Sequence, residues 1–228
     1  VSVSTPPAPG PLPLPREKTR AVIAVSDHLA QELVGAHQVP RALLCIARDA
    51  TYVDERPLPP PQGAHPVVGF MGRLEVDRGI DLVPGVARRV LARVPGAVFV
   101  MVGEGADDLR LRRRILREGL GESVHVVAPH ADYRKILRGF NLLLSPAIKE
   151  GLGILSLEAM AVGRPVVAAA VGGVYTHVRE GRTGLLARPG DEEDIAAKIL
   201  RLLERPEEAA ELGRNAWELV RDEFALET

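Results

Sequence analysis

The feature of the sequence that most constrains the fold is a regular alternation of short apolar runs with amphipathic stretches after Pro66. The apolar runs occupy residues 67–71, 97–102, 123–128, 141–145, 165–170 and 184–187. Stretches with helical periodicity lie between them, near residues 78–93, 106–118, 132–138, 153–162 and 191–204. Short, nearly unbroken apolar runs are typical of strands buried on both faces of a parallel sheet. The alternation therefore predicts an α/β fold, a Rossmann-like doubly wound parallel sheet of about six strands with helices on both sides.

Two proline-rich segments divide the rest of the chain. The first, residues 1–20, is typical of an extended segment or a linker. A strand-like run at 21–25 follows, and Ser26 and Asp27 can cap the helix that comes next. A second proline cluster indicates a domain boundary. We therefore divide the chain into a proline-rich segment, a short strand-and-helix segment, a linker, a main domain and a carboxyl-terminal helix, at residues 1–20, 21–53, 54–66, 67–205 and 206–228.

Composition excludes several classes of function. The net charge is −1, so no bulk charge draws the chain to nucleic acid or to an anionic membrane, and an anion must be bound by a few placed cations. Cys45 is the only cysteine, which excludes an intramolecular disulfide, and the histidines show no metal-ligand spacing. No apolar run approaches the roughly 18 residues of a membrane-spanning helix, and the first residues carry no charged leader. We expect a cytoplasmic protein without a metal site.

Ligands of an open α/β sheet bind outside the carboxyl ends of its strands, so the loops after the apolar runs are the candidate sites. The first such loop contains Gly72 and Arg73, with Arg78 five residues further on. Gly72 lets a ligand approach the backbone, and two guanidinium groups beside a helix start can clamp a diphosphate. The alternative is that both arginines are solvated and paired with Glu75 or Asp77, as charged loop residues usually are.

The strongest signal is the stretch after the fourth apolar run, which contains Glu150, Gly151, Leu152, Gly153 and Glu158. A helix that begins within it points free amide groups into the loop, where phosphate oxygens fit. Two carboxylates nearby suit a ligand with many hydroxyl groups, because charge-assisted hydrogen bonds are short and strong. Taken singly, Glu158 would favour the helix dipole and Glu150 would face solvent. Taken together, with glycines between them, they favour a crevice for a sugar attached to a pyrophosphate.

Other loops leave alternatives open. The VGEG stretch at 102–105 resembles the start of a dinucleotide fingerprint, but Asp108 stands where the third glycine is needed, so we interpret the stretch as a tight turn. The glycine turn at 172–173 either borders the same crevice or only reverses the chain. His130 and His177 lie on loops at the same side, where they either touch a ligand or are surface residues like most of the histidines.

The order of these blocks resembles the carboxyl-terminal domain of a family-4 glycosyltransferase, one lobe of the GT-B architecture of two facing Rossmann-like domains. The matching stretches are VGFMGRLEVDRGIDL at 68–82, VFVMVGEG at 98–105, EGLGILSLEAMAVGRPVVA at 150–168 and GLLARPGDEEDIAAKI at 184–199. The third contains the family's Glu-x7-Glu pattern, formed here by Glu150 and Glu158. In this order with the other blocks the pattern is highly specific, and the resemblance covers roughly residues 20–228.

The resemblance implies a role for each site residue. Arg73 and Arg78 would neutralise the donor diphosphate, Glu158 would hold the ribose hydroxyls, and Glu150 would contact hydroxyls of the transferred sugar. Of these, Arg73, Arg78 and Glu150 would act in catalysis. The base would lie near Ala128. The substrate-binding set implied is Gly72, Arg73, Arg78, Ala128, Glu150, Gly151, Leu152, Gly153 and Glu158.

The resemblance also implies the reaction. Such enzymes transfer a hexosyl group from a nucleoside-diphosphate sugar with retention of configuration, usually without a metal or other cofactor. Retention is commonly explained by front-face attack, which makes stabilisation of the departing diphosphate an electrostatic task. The acceptor, a glycan, a lipid or a small molecule, would bind an amino-terminal domain of which residues 21–53 are a remnant, and peripheral membrane association through that domain is left open. We expect the chain to be incomplete or inactive alone.

The sequence departs from the family pattern in two places. Relatives often have an Asn-Gly pair where this chain has Arg48-Asp49, and a glutamate where this chain has Thr176. The ending FALET stops where relatives continue into a further helix, so the chain looks truncated at both ends or is completed by a partner. These departures favour the alternative of a non-catalytic binding or scaffold domain, which the intact arginines and glutamates oppose. A nicotinamide-dependent dehydrogenase ranks last because the third glycine is missing.

Overall fold

The structure is a computed structural model that describes residues 2–3, 7, 10–12, 14–15, 18–47 and 50–226. Within these residues the chain forms two parallel sheets, one of three strands and one of six. The smaller sheet consists of β1 (Ser2–Val3), β2 (Val22–Ala24) and β3 (Leu44–Ile46). The larger sheet consists of β4 (Val67–Met71), β5 (Val98–Val102), β6 (Val124–Val127), β7 (Leu142–Ser145), β8 (Val166–Ala169) and β9 (Leu185–Ala187).

Helices alternate with these strands. In the described part of the chain the α-helices are α1 (Asp27–Gly35), α2 (Val83–Leu91), α3 (Asp108–Arg117), α4 (Tyr133–Arg138), α5 (Ile154–Ala161), α6 (Glu192–Glu204) and α7 (Pro206–Glu223). The predicted cap of α1 is confirmed for Ser26, whose hydroxyl accepts a hydrogen bond from the amide of Leu29 at 3.2 Å. None of the helices in this part of the chain combines the length and the apolar character needed to cross a bilayer.

The larger sheet reverses its winding direction at β4. Its strand order is β6-β5-β4-β7-β8-β9, so the chain first moves outward through β5 and β6 and then crosses to β7 on the other side of β4. The predicted α/β fold with a parallel sheet of six strands is confirmed. The loops after the two strands at such a reversal diverge and leave a crevice at their carboxyl ends. In this chain these strands are β4 and β7.

Helices cover both faces of the larger sheet, so successive residues of its inner strands enter different apolar layers. Leu142 and Leu144 pack in the layer that contains α2, α3, α6 and the first turns of α7, whereas Leu143 packs in the layer that contains α1, α4, α5 and the later turns of α7. The prediction of burial on both faces is wrong for β6, where Val124 is buried and Val127 is 39% exposed. β6 is an edge strand, so one of its faces is covered only in part.

A buried arginine ties the predicted linker to the main domain. Arg164 is 1% exposed, and it donates hydrogen bonds to the carbonyl oxygens of Leu58 at 2.8 Å and of Arg138 at 3.0 Å. Burial lowers the pKa of its guanidinium group to about 10. Arg138 is the last residue of α4, so its carbonyl accepts no hydrogen bond within the helix. The side chain of Arg164 supplies the missing donor. The division of the chain into domains stays a prediction, and the Arg48-Asp49 junction lies outside the described residues.

We expect Arg164→Ala to lower the free energy of unfolding by about 3 kcal/mol, because it leaves two carbonyl groups without donors and opens a cavity. Urea unfolding measures the loss. The control is Arg93→Ala, which removes an exposed ion pair with Glu204 and should cost less than about 1 kcal/mol. An equally small loss in Arg164→Ala would contradict the role given to this side chain.

Candidate functional site

Three loops meet at the carboxyl ends of β4, β7 and β8. In the loop after β4, the carbonyl of Asp77 accepts a hydrogen bond at 2.8 Å from the amide of Ile148, which lies in the loop after β7. The amide of Gly173, after β8, donates to the carbonyl of Gly151 at 2.7 Å. These backbone hydrogen bonds hold the loop that carries Glu150 between the other two loops.

Two glycines allow this close contact between loops. Gly79 has a φ of +72°, and a Cβ atom there would lie 2.0 Å from the carbonyl oxygen of Pro146. Gly172 has a φ of +56°, and a Cβ atom there would lie 1.8 Å from the carbonyl oxygen of Glu150. Both positions combine a left-handed backbone with a contact that excludes any side chain. The glycine turn at 172–173 therefore packs directly on the loop of Glu150, which is more than a reversal of the chain.

The loops enclose a crevice made of two adjoining cavities. The first cavity has a volume of about 270 Å³ and the second a volume of about 470 Å³. Residues that border both are Met71, Gly72, Arg73, Ile154 and Leu155. Residues that border only the first include Arg78, Glu150, Leu152, Gly153 and Ser156. Residues that border only the second include Glu104, Pro129, His130, Tyr133 and Glu158. The predicted arginines and glutamates therefore lie along one crevice and not on different faces.

The amino-terminal tip of α5 forms one wall of the first cavity. Gly153 precedes the helix with a φ of +83°, and its carbonyl accepts hydrogen bonds from the amides of Ser156 and Leu157. The amides of Ile154 and Leu155, in the first turn, have no partner within the helix and lie at the positive end of its dipole. The buried hydroxyl of Ser156 has no hydrogen-bond partner among the described residues. This wall offers several hydrogen-bond donors to an anion.

Arg78 and Glu150 form an ion pair beside this wall. The Nη1 atom of Arg78 lies 2.8 Å from Oε2 of Glu150, and the two side chains are 20% and 13% exposed. The other carboxylate oxygen of Glu150 accepts a hydrogen bond from the amide of Gly151 at 3.0 Å. Opposite charges attract more strongly when they are shielded from water. The pair therefore fixes the loop after β4 against the loop after β7.

Arg73 forms the surface ion pairs that the alternative interpretation predicts. Its Nη1 atom lies 2.7 Å from Oε2 of Glu75, and its Nη2 atom lies 3.7 Å from Oδ2 of Asp77. The side chain is 57% exposed and borders both cavities. Ion pairs at such exposure contribute little free energy. The guanidinium group can therefore turn to an anion in the crevice at small cost.

Glu158 has partners that the sequence analysis missed. Its Oε2 atom accepts a hydrogen bond from Nη1 of Arg134 at 2.8 Å, and Nη2 of Arg134 donates to Oδ1 of Asp54 at 3.1 Å. These contacts join residues that are 24 and 80 positions apart, so no local spacing signals them. The only hint in the sequence is that Arg134 and Arg138 share one face of a short helix and need acidic partners.

The remaining predicted binding residues differ in their placement. Leu152 and Gly153 border the first cavity. Gly151 is buried, and it borders neither cavity. Ala128 is exposed and also borders neither, whereas His130 borders the second cavity, because the chain runs on past the end of β6 before it turns toward α4. No group of three His, Cys, Asp or Glu side chains in the described residues is placed to hold a metal ion.

The VGEG turn packs against the loop after β4. A Cβ atom at Gly103 would lie 1.9 Å from the carbonyl oxygen of Gly72, and one at Gly105 would lie 2.5 Å from that of Leu74. The amide of Leu74 also donates to the carbonyl of Glu104 at 2.9 Å. Backbone thus lies against both glycines, on the side where a side chain would project. This agrees with a tight turn that serves loop packing.

Two histidines are buried: His37, which we expected at the surface, and His177, which we expected either at the surface or against a ligand. His37 is 3% exposed, and its Nδ1 atom lies 2.7 Å from the carbonyl oxygen of Gly10. His177 is 0% exposed, and neither of its ring nitrogens has a partner among the described residues. The ring lies behind Gly153 and packs edge-on against Phe224, so it does not reach the crevice. Burial lowers the pKa of His177 to about 3.

Comparison with known proteins assigns the chain to a family. A family model described as "Glycosyl transferases group 1" matches residues 55–218. The chain belongs to the group 1 glycosyl transferases. Its parallel sheet of six strands matches the carboxyl-terminal lobe of GT-B glycosyltransferases, so the GT-B part of the sequence-based expectation is confirmed.

Individual members of the family show how much of a relative the chain represents. It is 31% identical over 171 residues to a trehalose synthase of Pyrococcus horikoshii, a match that covers 71% of this chain and 41% of the relative. It is 33% identical over 171 residues to a D-inositol 3-phosphate glycosyltransferase of Catenulispora acidiphila, with 70% and 39% covered. A mutant of S. aureus TarM, solved with Fondaparinux, alpha-GlcNAc-glycerol and UDP, superposes with a TM-score of 0.81 at 26% identity, with 92% of this chain and 42% of that chain covered. The chain thus spans about two fifths of the length of these curated relatives.

The contact between loops at Gly79 can be tested against a matched glycine. Gly79 and Gly119 have nearly the same φ, +72° and +71°, but no atom lies within 4 Å of a Cβ at Gly119. We expect Gly119→Ala to cost only the left-handed strain, about 1 kcal/mol. Gly79→Ala should cost at least about 2 kcal/mol more, because the methyl group would push against the carbonyl of Pro146. Equal losses in urea unfolding would contradict the packing described for these loops.

The buried His177 predicts a dependence of stability on pH. Because the folded protein holds its pKa near 3 and the unfolded chain has a value near 6.5, only the unfolded chain takes up the proton in between. The contribution of His177 to the free energy of unfolding is therefore fully present above about pH 6.5. It is lost as the pH is lowered toward 3, by up to about 1.4 kcal/mol per pH unit. Urea unfolding at pH 5 and 7.5 measures it. His177→Leu should lose less stability on acidification than the wild type, whereas His125→Leu, an exposed control, should lose as much as the wild type. Identical losses of stability in all three proteins would contradict the burial of His177.

Proposed function

We propose that this chain binds a nucleoside-diphosphate sugar in the crevice at the ends of β4 and β7, as the donor lobe of a retaining hexosyltransferase of family 4. The observation that carries the proposal is the gathering of Arg73, Arg78 and the tip of α5 around one cavity, with Glu150 and Glu158 beside it. The chain's net charge does not attract anions, so this local set must do so.

The first cavity suits the diphosphate. Two guanidinium groups and the amides of the first turn of α5 surround it, and all of them are donors. Ser156, whose buried hydroxyl has no partner among the described residues, lines the same cavity. Helix tips and arginines are the usual partners of phosphate oxygens. A diphosphate here would replace Glu75 at Arg73 and would compete with Glu150 for Arg78.

The carboxylates suit the hydroxyl groups of the donor. Glu158 borders the second cavity, where Gly103, Pro129 and His130 leave room for a nucleoside, and we assign it to the ribose. Glu150 borders the first cavity, and we assign it to hydroxyls of the transferred sugar. Hydroxyl groups donate strong hydrogen bonds to ionised carboxylates. Ribose and sugar would then lie on opposite sides of the diphosphate, which is their order in the donor.

The chemistry proposed is a transfer on one face of the sugar. The bond between the anomeric carbon and the diphosphate oxygen breaks, and the acceptor oxygen bonds to the same carbon on the same face. The acceptor's proton passes to the departing diphosphate. Arg73, Arg78 and the tip of α5 would stabilise the negative charge that develops on the diphosphate, and we propose no metal ion for this task.

Uridine is the first base to test, because TarM, with a TM-score of 0.81, was solved with UDP. We propose that the acceptor, a glycan, a lipid or a small molecule, binds a further lobe, because the chain spans only about two fifths of its relatives. Donor hydrolysis by this chain alone is then expected to be almost undetectable.

A second candidate is a binding or scaffold domain without catalysis. Two observations favour a scaffold domain. Thr176 stands where relatives commonly have a glutamate, and Arg73 is paired with Glu75. Calorimetry separates the two, because a complete lack of binding to UDP-, GDP- and ADP-sugars would support the scaffold.

Binding of a nucleoside diphosphate should raise the melting temperature of the chain. At a hundred-fold excess over Kd a ligand stabilises the native state by about 2.7 kcal/mol. In a screen of UDP, GDP, ADP and their common sugars, we expect one base to give this shift, and Arg73→Ala to abolish it. Arg188→Ala removes an exposed ion pair with Asp191 that borders neither cavity, and it is the control. A full shift in Arg73→Ala would count against the clamp.

A further inference from the structure

A chain of three partly buried charges runs from the crevice into the protein. Arg134 lies between Glu158 and Asp54, with N–O distances of 2.8 Å and 3.1 Å. The exposed fractions of the three side chains are 18% for Arg134, 11% for Glu158 and 16% for Asp54. The planar guanidinium group of Arg134 thus bridges two carboxylates, which the single ammonium group of a lysine cannot do.

The far end of this chain of charges is fixed by the fold. The amide of Asp54 donates to the carbonyl of Ala161, the last residue of α5, and the carbonyl of Asp54 accepts a hydrogen bond from Nε1 of Trp217 in α7 at 2.8 Å. Burial would raise the pKa of Asp54, but hydrogen bonds from Arg138 and Arg134 outweigh it and hold the pKa below its usual 3.8. Asp54 therefore stays charged and in place at neutral pH.

The near end of the chain of charges faces the second cavity. One oxygen of Glu158 is committed to Arg134, and the residue keeps a small exposed surface where it borders the cavity. Tyr133 also neighbours this carboxylate: burial, the negative charge of Glu158 and a hydrogen bond to it together raise the pKa of the tyrosine hydroxyl. The rotamer of Glu158 is thus set by groups that contact no part of the first cavity.

We propose that Arg134, held by Asp54, is the positioning residue for Glu158, and that it fixes the carboxylate for the ribose hydroxyls of the donor. This inference rests on the proposed function, because it assumes that Glu158 receives those hydroxyls. Without Arg134, Glu158 would lose its ion-pair partner, and its carboxylate would no longer be held in place beside the cavity. Arg134 itself acts through Glu158.

A merely structural role of Arg134 would weaken binding of every nucleotide by the same factor. A positioning role instead changes how much the ribose hydroxyls matter. The readout is therefore the ratio of Kd for 2′,3′-dideoxy-UDP to Kd for UDP, measured by calorimetry on the full chain. If GDP or ADP gives the larger thermal shift, that nucleotide and its dideoxy form take the place of the uridine pair.

In the wild type we expect the ratio to be at least about ten, the value of a good hydrogen bond to a carboxylate. In Arg134→Ala it should fall to within about two-fold of one, because the carboxylate of Glu158 is no longer held toward the ribose, and in Glu158→Gln it should fall as far, because the charge that strengthens these hydrogen bonds is gone. Arg134→Lys should give an intermediate ratio, since lysine can pair with Glu158 but cannot bridge to Asp54. Arg114→Ala breaks a partly buried ion pair with Glu118 at the end of α3 and should keep the wild-type ratio.

The outcomes separate this inference from the function on which it rests. A ratio near one in the wild type, or no change in Glu158→Gln, contradicts the assignment of the ribose to Glu158. A large ratio that Glu158→Gln removes and Arg134→Ala retains overturns the positioning role alone. Should Arg134→Ala fail to fold, Arg134→Lys and Asp54→Asn decide the matter, because a wild-type ratio in both would equally contradict the proposal.

Discussion

The ion pair between Arg78 and Glu150 joins two loops that the topology of the sheet drives apart. β4 and β7 are neighbours, but the chain leaves them toward opposite sides, so their loops would otherwise enclose only an open gap. Gly79 lets the first loop touch the carbonyl of Pro146, and the ion pair closes the contact beside the tip of α5. The cavity of about 270 Å³ exists because these contacts hold its walls at a fixed distance.

The arginines of the crevice are occupied by carboxylates, and this affects how a ligand would bind. Arg73 contacts Glu75 and Asp77, and Arg78 contacts Glu150. An exposed pair is replaced at little cost, whereas the shielded pair resists replacement more strongly. An anion would therefore draw Arg73 away from Glu75 at small cost, whereas freeing Arg78 from Glu150 would cost more. The acidic partners also offset the positive charge of the two arginines.

The strands and helices were predictable because their signals are local. Runs such as 67–71 and 165–170 carry the periodicity of buried strands, and Ser26 and its helix lie within a few residues of each other. The candidate site was predictable in part, because strand-end loops of a parallel sheet must share one edge. The contact of Arg134 with Asp54 was not predictable, since it spans 80 positions without a pattern. The burial of His177 was missed because nothing local distinguishes an enclosed loop histidine from an exposed one.

We propose that one crevice, built by the loops after β4, β7 and β8, receives a diphosphate at the tip of α5. A crystal structure of the chain soaked with UDP tests it most directly. We expect diphosphate oxygens within hydrogen-bond distance of the amides of Ile154 or Leu155 and of a guanidinium group of Arg73 or Arg78. UDP bound elsewhere, for example in the cavity between His28 and Lys149, without contact to the tip of α5, would contradict this assignment of the crevice.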